Sequence, residues 1–256
     1  LFNENIAALY ANYSTKIKKW GLSIGSRIES ASTNAREADS LDNRKTYYSL
    51  FPTGALSYKI SKVQEIQLTY SRRINRPSFR DLNPYRDYSA WPNIRTGNPF
   101  LDPEYVNALE MSYAWYSKRG TFMPTVFYRR ITDVISRYRM NLNDSVYLMM
   151  PENYTSATSY GFEMIYTHKP LKWWNTTISG SWYRHIVDGS NVETSITAAA
   201  FGWQLRNSNS FRFAKGWEGS FSVFYRSPRE TGQGIRDAMF MADCAIKKSF
   251  LNDKLA

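Results

Sequence analysis

The stretch ALEMSYAWYS, residues 108–117, places an apolar side chain at every second position. Leu109, Met111, Tyr113 and Trp115 fall on one side of an extended chain, with Glu110, Ser112, Ala114 and Tyr116 on the other. Successive side chains of a β-strand point to opposite faces, so this period of two reads as a strand with one apolar and one polar face. The same reading holds in both directions along the chain. In EIQLTYSR, residues 65–72, Ile66, Leu68 and Tyr70 oppose Gln67, Thr69 and Ser71. GFEMIYTH (161–168) sets Phe162, Met164 and Tyr166 against Gly161, Glu163 and Thr167. GWEGSFSVFYRS (216–227) sets Trp217, Phe221, Val223 and Tyr225 against Glu218, Ser220, Ser222 and Arg226. Helical spacing hardly occurs.

Read this way, the chain predicts about eleven strands, near 4–14, 19–31, 46–61, 64–75, 106–117, 120–135, 157–168, 172–187, 194–213, 216–227 and 235–250. Their connections alternate. STKIKK, SKVQ, SKRG, THKPLK and FAKG are short and carry lysine, while the others are longer and polar. No linker divides the chain and no 20- to 50-residue repeat is present.

A soluble β-sandwich also alternates, and so do soluble all-β binding proteins. Three features point instead to a membrane. Many of the strands exceed the ~5 to 6 residues usual in soluble sheets and reach the ~9 to 11 needed to cross a bilayer at a tilt. Tyr58, Tyr70, Trp115, Trp174, Trp182, Trp203 and Trp217 lie on the apolar phase, many near strand ends, where an apolar ring with a hydrogen-bonding tip suits the interface. Short turns on one side and long loops on the other are the pattern of an outer-membrane barrel. A barrel also reconciles an aromatic share of 16% with a mean hydropathy of −0.51, because its inward half is polar while every backbone group pairs within the sheet.

The totals exclude other classes. A single cysteine, Cys244, excludes an internal disulfide and a multi-thiolate zinc site, and two histidines, His168 and His185, argue against a histidine metal centre. No cofactor is expected. The net charge of +11 suits nucleic acid, an anionic membrane surface or an acidic ligand. Nucleic-acid binding would need arginines interleaved with aromatics on one sheet face, whereas here charges gather at strand ends and aromatics mostly fill the opposite face. Lysines at the short turns and arginines at the outer ends fit the two sides of a membrane, the latter facing lipopolysaccharide phosphates.

The segments LFPTGALSYKIS (50–61), LTYSRRINRPSFRDLNPY (68–85), GNPFLDPEYVNALEMSY (97–113), YGFEMIY (160–166), FYRSPRETGQG (224–234) and KKSFLNDKL (247–255), in this order and spacing, resemble the barrel portion of TonB-dependent outer-membrane receptors of the Bacteroidetes type. The resemblance implies an all-β, antiparallel transmembrane β-barrel segment belonging to a barrel of about 22 strands. It implies no enzyme activity and a place in the outer membrane of a Gram-negative cell. The implied partners are the bilayer and lipopolysaccharide, a plug domain of the same protein, the TonB complex and a surface lipoprotein. No plug or TonB-contacting segment is visible, and an odd number of strands does not close antiparallel. Residues 1–256 are therefore expected to be a partial barrel domain with open edges, and FLNDKLA to lead into a strand beyond it. A non-transporting barrel for adhesion or scaffolding is the other membrane reading.

The polar phase carries Arg27, Glu29, Arg73, Glu110, Arg129, Glu163, Arg206, Arg226, Asp243 and Lys247. Such residues contact a plug or a passing solute, or pair with one another across neighbouring strands. Glu110 and Glu163 do not read as an acid/base pair, since they lie on non-adjacent strands, and His185 reads as a polar tip near a loop. The longest connection, 76–104, holds Pro77, Pro84, Pro92, Pro99 and Pro103 with a GNP turn signal at Gly97, a composition that favours a fixed shape. It is expected to fold over or into the mouth, with Arg76, Arg80, Asp81 and Arg86 pairing among themselves or with plug or ligand. The candidate contact residues are thus Arg73, Arg76, Arg80, Asp81, Arg86, Glu110 and Glu163.

Overall fold

The computed structural model describes residues 2–36, 42–231 and 233–249. Ten strands and a connecting loop follow one another as an antiparallel meander: β1 (Phe2–Ile17), β2 (Trp20–Arg36), β3 (Asp42–Ser61), β4 (Gln64–Asn75), then, after a short helix α1 (Phe79–Leu82) and strand β5 (Asn93–Arg95), β6 (Glu104–Ser117), β7 (Gly120–Asn141), β8 (Tyr147–Leu171), β9 (Trp174–Asp188), β10 (Thr197–Arg212) and β11 (Trp217–Arg226). A small hairpin of β12 (Arg229–Thr231) and β13 (Gly234–Arg236) precedes the last strand of the meander, β14 (Met239–Lys248). The sheet has 12 strands because β5 adds in parallel to β8, off the main path. Among the described residues β1 pairs only with β2, and β14 only with β11, so the sheet is open.

The register shows why this chain forms this sheet. Leu22, Leu56, Leu68, Met111, Val126, Phe162, Trp182 and Trp203 are successive cross-strand partners from β2 to β10. One position along, Ser57, Gln67, Ser112, Thr125, Glu163, Ser181, Gln204 and Arg226 form an unbroken polar row from β3 to β11. Slipping one strand by a residue would put an apolar set into the polar row, which is what specifies the pairing. The apolar phase stays outward: Leu68, Tyr70, Leu109, Met111, Phe162 and Phe221 are exposed and Met164 and Val223 half-buried. No helix among the described residues is long and apolar enough to cross a membrane. Crossing falls to the strands, none of which in the meander is shorter than 10 residues.

Aromatic rings collect where strands meet the short turns. Trp20 lies 4.6 Å from Tyr58, and Trp173, Trp174, Phe211 and Phe213 stack beside the turns between β8 and β9 and after β10.

Three expected boundaries are corrected. β7 and β8 run to 22 and 25 residues, well past the expected 120–135 and 157–168. The expected strand 235–250 divides, its start going to the β12–β13 hairpin. The long connection carries a strand of its own, β5. In the overhang of β7 and β8 the alternation fades because loops cover the sheet there, burying Ile94, Val146 and Leu148 together and leaving Tyr154 2% exposed. The expected turn FLNDKLA (250–256) lies outside the described residues.

Candidate functional site

The long connection is a built structure that bridges from β3 to β8. β4 ends at Asn75, just before Pro77, which has no N–H to continue a ladder. Ser78 then caps α1: its backbone N–H and hydroxyl donate to Asp81 Oδ2 at 3.0 and 2.6 Å, and the Asp81 N–H donates back to Ser78 Oγ at 3.3 Å. The chain returns through Gly97, whose N–H donates to the Asn83 carbonyl at 2.8 Å, while the Asn98 N–H donates to the Asp81 carbonyl at 2.6 Å. A Cβ at Gly97 would sit 2.5 Å from the Asn83 oxygen and 2.6 Å from that of Asp81, so only glycine fits this backbone crossing.

Both ends of the loop are tied to the sheet. On one side the Tyr147 N–H donates to the Pro92 carbonyl and the Thr96 N–H to the Met149 carbonyl, at 3.0 and 3.1 Å. Asn98 Nδ2 donates to Glu152 Oε2 at 3.1 Å. Glu152 lies on the overhang of β8, and burial pushes its carboxyl above the usual range against that hydrogen bond. On the other side Lys45 Nζ donates to the Phe100 and Leu101 carbonyls and to Asp102 Oδ1. Leu101 is thereby held at 3% exposure. Glu104, buried at the start of β6, accepts from Asn75 Nδ2 and the Ile135 N–H, each at 2.6 Å.

Arg76 departs from the expected grouping. Its side chain turns to the barrel wall, where it pairs with Glu29, donates to Tyr47 Oη at 2.8 Å and lies 3.4 Å from Glu4. Arg27 holds the other oxygen of Glu29 at 2.5 Å. Glu29 is a buried carboxylate with two guanidiniums on it, a reason for Arg76 to point there rather than toward Asp81, whose oxygen is already used by Ser78.

Arg80 and Asp81 do come together, lining an open cleft of about 220 Å³ whose walls also include Tyr85, Asp87, Arg95 and Arg137. Hydrogen bonds from Ser89 hold Asp87 below the usual carboxylate range, and the Arg95 and Arg80 charges add to this. Neither Arg80, Arg95 nor Arg137 forms an ion pair among the described residues. Three guanidiniums therefore face two carboxylates, each of which is engaged by its own turn. Arg86 is exposed and lines none of the clefts described. Arg73, Glu110 and Glu163 sit lower on the inward wall: Glu110 meets Arg129 at 3.4 Å, and Glu163 accepts from Ser181 Oγ at 3.4 Å. Arg72, on the outward phase, stacks over Tyr105 at 4.8 Å. Arg95 and Arg137 were missed as site residues. Arg95 lay inside the loop with a suggestive NIRTGNP context, but Arg137 lies on the strand overhang where alternation no longer reports position.

Residues 1–256 match the Outer membrane protein beta-barrel family, and the chain belongs to that family, which places it in the outer membrane of a Gram-negative cell. No curated protein matches the chain in sequence. Among solved structures it is similar in fold to the copper transporter OprC, with a TM-score of 0.68 at 11% identity over 94% of this chain and 40% of that one. It is also similar to the FrpB iron transporter from Neisseria meningitidis, F3-3 variant, with a TM-score of 0.64 at 13% identity over 96% and 38%. The ferric yersiniabactin uptake receptor FyuA from Yersinia pestis gives 0.64 at 11% identity over 96% and 38%. The chain thus spans about two fifths of the length of these structures, and at such identities the likeness is one of fold.

Proposed function

We propose that this chain is barrel wall of a TonB-dependent outer-membrane transporter, and that the 76–103 segment with its arginine cleft meets the ligand at the extracellular mouth. The observation that carries the reading is the wall itself, an antiparallel meander with an unbroken outward apolar row, short turns at one end and a loop locked across the other. Its fold neighbours include a copper transporter, an iron transporter and a siderophore uptake receptor, which supports transport over adhesion. On this reading the chain is not an enzyme. Its partners are the bilayer and lipopolysaccharide outside the wall, a plug domain within it, the TonB complex below and a surface lipoprotein over the mouth.

The test needs no knowledge of the ligand. The protein carrying this chain, extracted from outer membranes in detergent, is expected to be retained by the immobilised periplasmic domain of TonB from the same cell. Absence of retention, with no plug-like domain encoded alongside the barrel, would leave a non-transporting barrel. Within the mouth, Arg80→Ala is expected to weaken solute uptake at unchanged surface expression, and normal uptake would leave the loop a structural lid.

A further inference from the structure

A second compartment, of about 280 Å³, lies under the β12–β13 hairpin. The hairpin is fixed over the sheet by a contact between residues 94 positions apart: the Arg139 N–H donates to Gln233 Oε1 at 2.8 Å, and Gln233 Nε2 donates to the Arg139 carbonyl at 3.1 Å. Beneath it, Arg137 of β7, His185 of β9 and Arg229 of β12 face one space. His185 Nδ1 is engaged by Ser159 Oγ at 2.7 Å, so Nε2 is the nitrogen left for another partner. Arg229 reaches Tyr183 Oη only at 3.4 Å, and its Nε is closed to solvent with no partner. Glu230 is the one carboxylate in the lining.

A buried guanidinium N–H without an acceptor is costly, and the large majority of buried polar atoms have a partner. Two guanidiniums and an imidazole around a single exposed carboxylate define what is missing. We infer that this compartment is a second binding site, for a small solute bearing two or more carboxylate or phosphate groups. Arg137 lines both this compartment and the mouth cleft, so one forked side chain reaches a solute in either. Forked guanidinium donors match both oxyanions in bidentate fashion, which lysine does not. That the solute passes from cleft to compartment rests on the transporter reading; the binding does not.

The experiment is titration calorimetry on the detergent-solubilised protein at low salt, with citrate, pyrophosphate and uncharged glycerol as probes. Citrate or pyrophosphate should bind and glycerol should not; preference for one of the two anions identifies the carboxylate or the phosphate as the group recognised. Arg229→Gln is expected to weaken binding at least about tenfold, the effect of one charge-assisted contact. Arg229→Lys, which keeps charge but loses the fork, should fall between. If Arg229→Gln does not fold, as judged by sheet dichroism, the lysine variant and salt carry the test, because raising NaCl from low to high must weaken binding to the parent protein. Absence of binding by both anions overturns the inference, including the case in which a carboxylate of the protein itself fills the space. So does binding that Arg229→Gln or Arg229→Lys leaves unchanged. Anion binding by a protein that TonB does not retain would keep the site and remove the passage.

Discussion

Arg76 shows how one side chain can fix the shape of a loop. Glu29 is withdrawn from water, its side chain 4% exposed, and Arg76 is the link from that carboxylate to the mouth loop. Arg76→Ala leaves Arg27 on Glu29, so the expected loss is about 1 to 3 kcal/mol rather than that of a fully orphaned charge. It should appear as faster proteolysis within 76–103 and a lower thermal midpoint. Arg86→Ala, at an exposed position, should change stability by no more than about 0.5 kcal/mol. Gly97→Ala forces a Cβ against backbone oxygens that have no flexible end to move, and should undock the loop with a cost of about 1 to 3 kcal/mol, read by hydrogen exchange at Asn98. Glu152 sets a pH dependence. Its carboxyl is raised by burial, so the folded state favours the protonated form and loop docking gains as pH falls through that raised value. The gain is lost as pH rises. Comparing proteolysis of the parent with Glu152→Gln from pH 4 to 8 checks the sign: the difference between them should shrink on acidification.

At the scale of elements, the rows across the sheet matter more than any one strand. Met111 is 53% exposed between Leu68 and Val126, on the outward phase and about halfway along the part of β6 that crosses the bilayer. Met111→Lys is expected to cost about 2 to 4 kcal/mol in lipid vesicles, whereas Thr125→Lys, in the polar row beside Ser112 and Glu163, should cost much less. Denaturant unfolding from vesicles measures both, and equal losses would contradict the assignment of faces. The overhangs of β7 and β8 follow different rules from the crossing segments below them. There the long connection packs against β8, burying Leu148 with Ile94 and Val146, so a run such as YLMMPENY forms strand without alternation, and periodicity alone stops short of it.

For the molecule as a whole, the outward phase predicts which tryptophans see lipid. With single-tryptophan variants in vesicles containing brominated lipids, Trp182 should be quenched by deep bromines, Trp115, two positions from its turn, by shallow ones, and Trp91, 64% exposed in the mouth loop, by neither. The sequence alone determined the faces of the strands through its period of two, the class of fold through that period with strand lengths and aromatic placement, the short and long ends through its connection lengths, and a fixed shape for 76–104 through its prolines. Those features are local or repeat strand by strand, and a bilayer outside a polar interior imposes them on each strand separately. What only the tertiary structure decided is who meets whom at the mouth: β5 joining β8, Arg76 leaving Arg80 for Glu29, Arg95 and Arg137 completing the cleft, and Gln233 reaching Arg139. These contacts join segments tens of residues apart across a covered surface, where burial comes from loops rather than lipid and no sequence period records which residues will be neighbours.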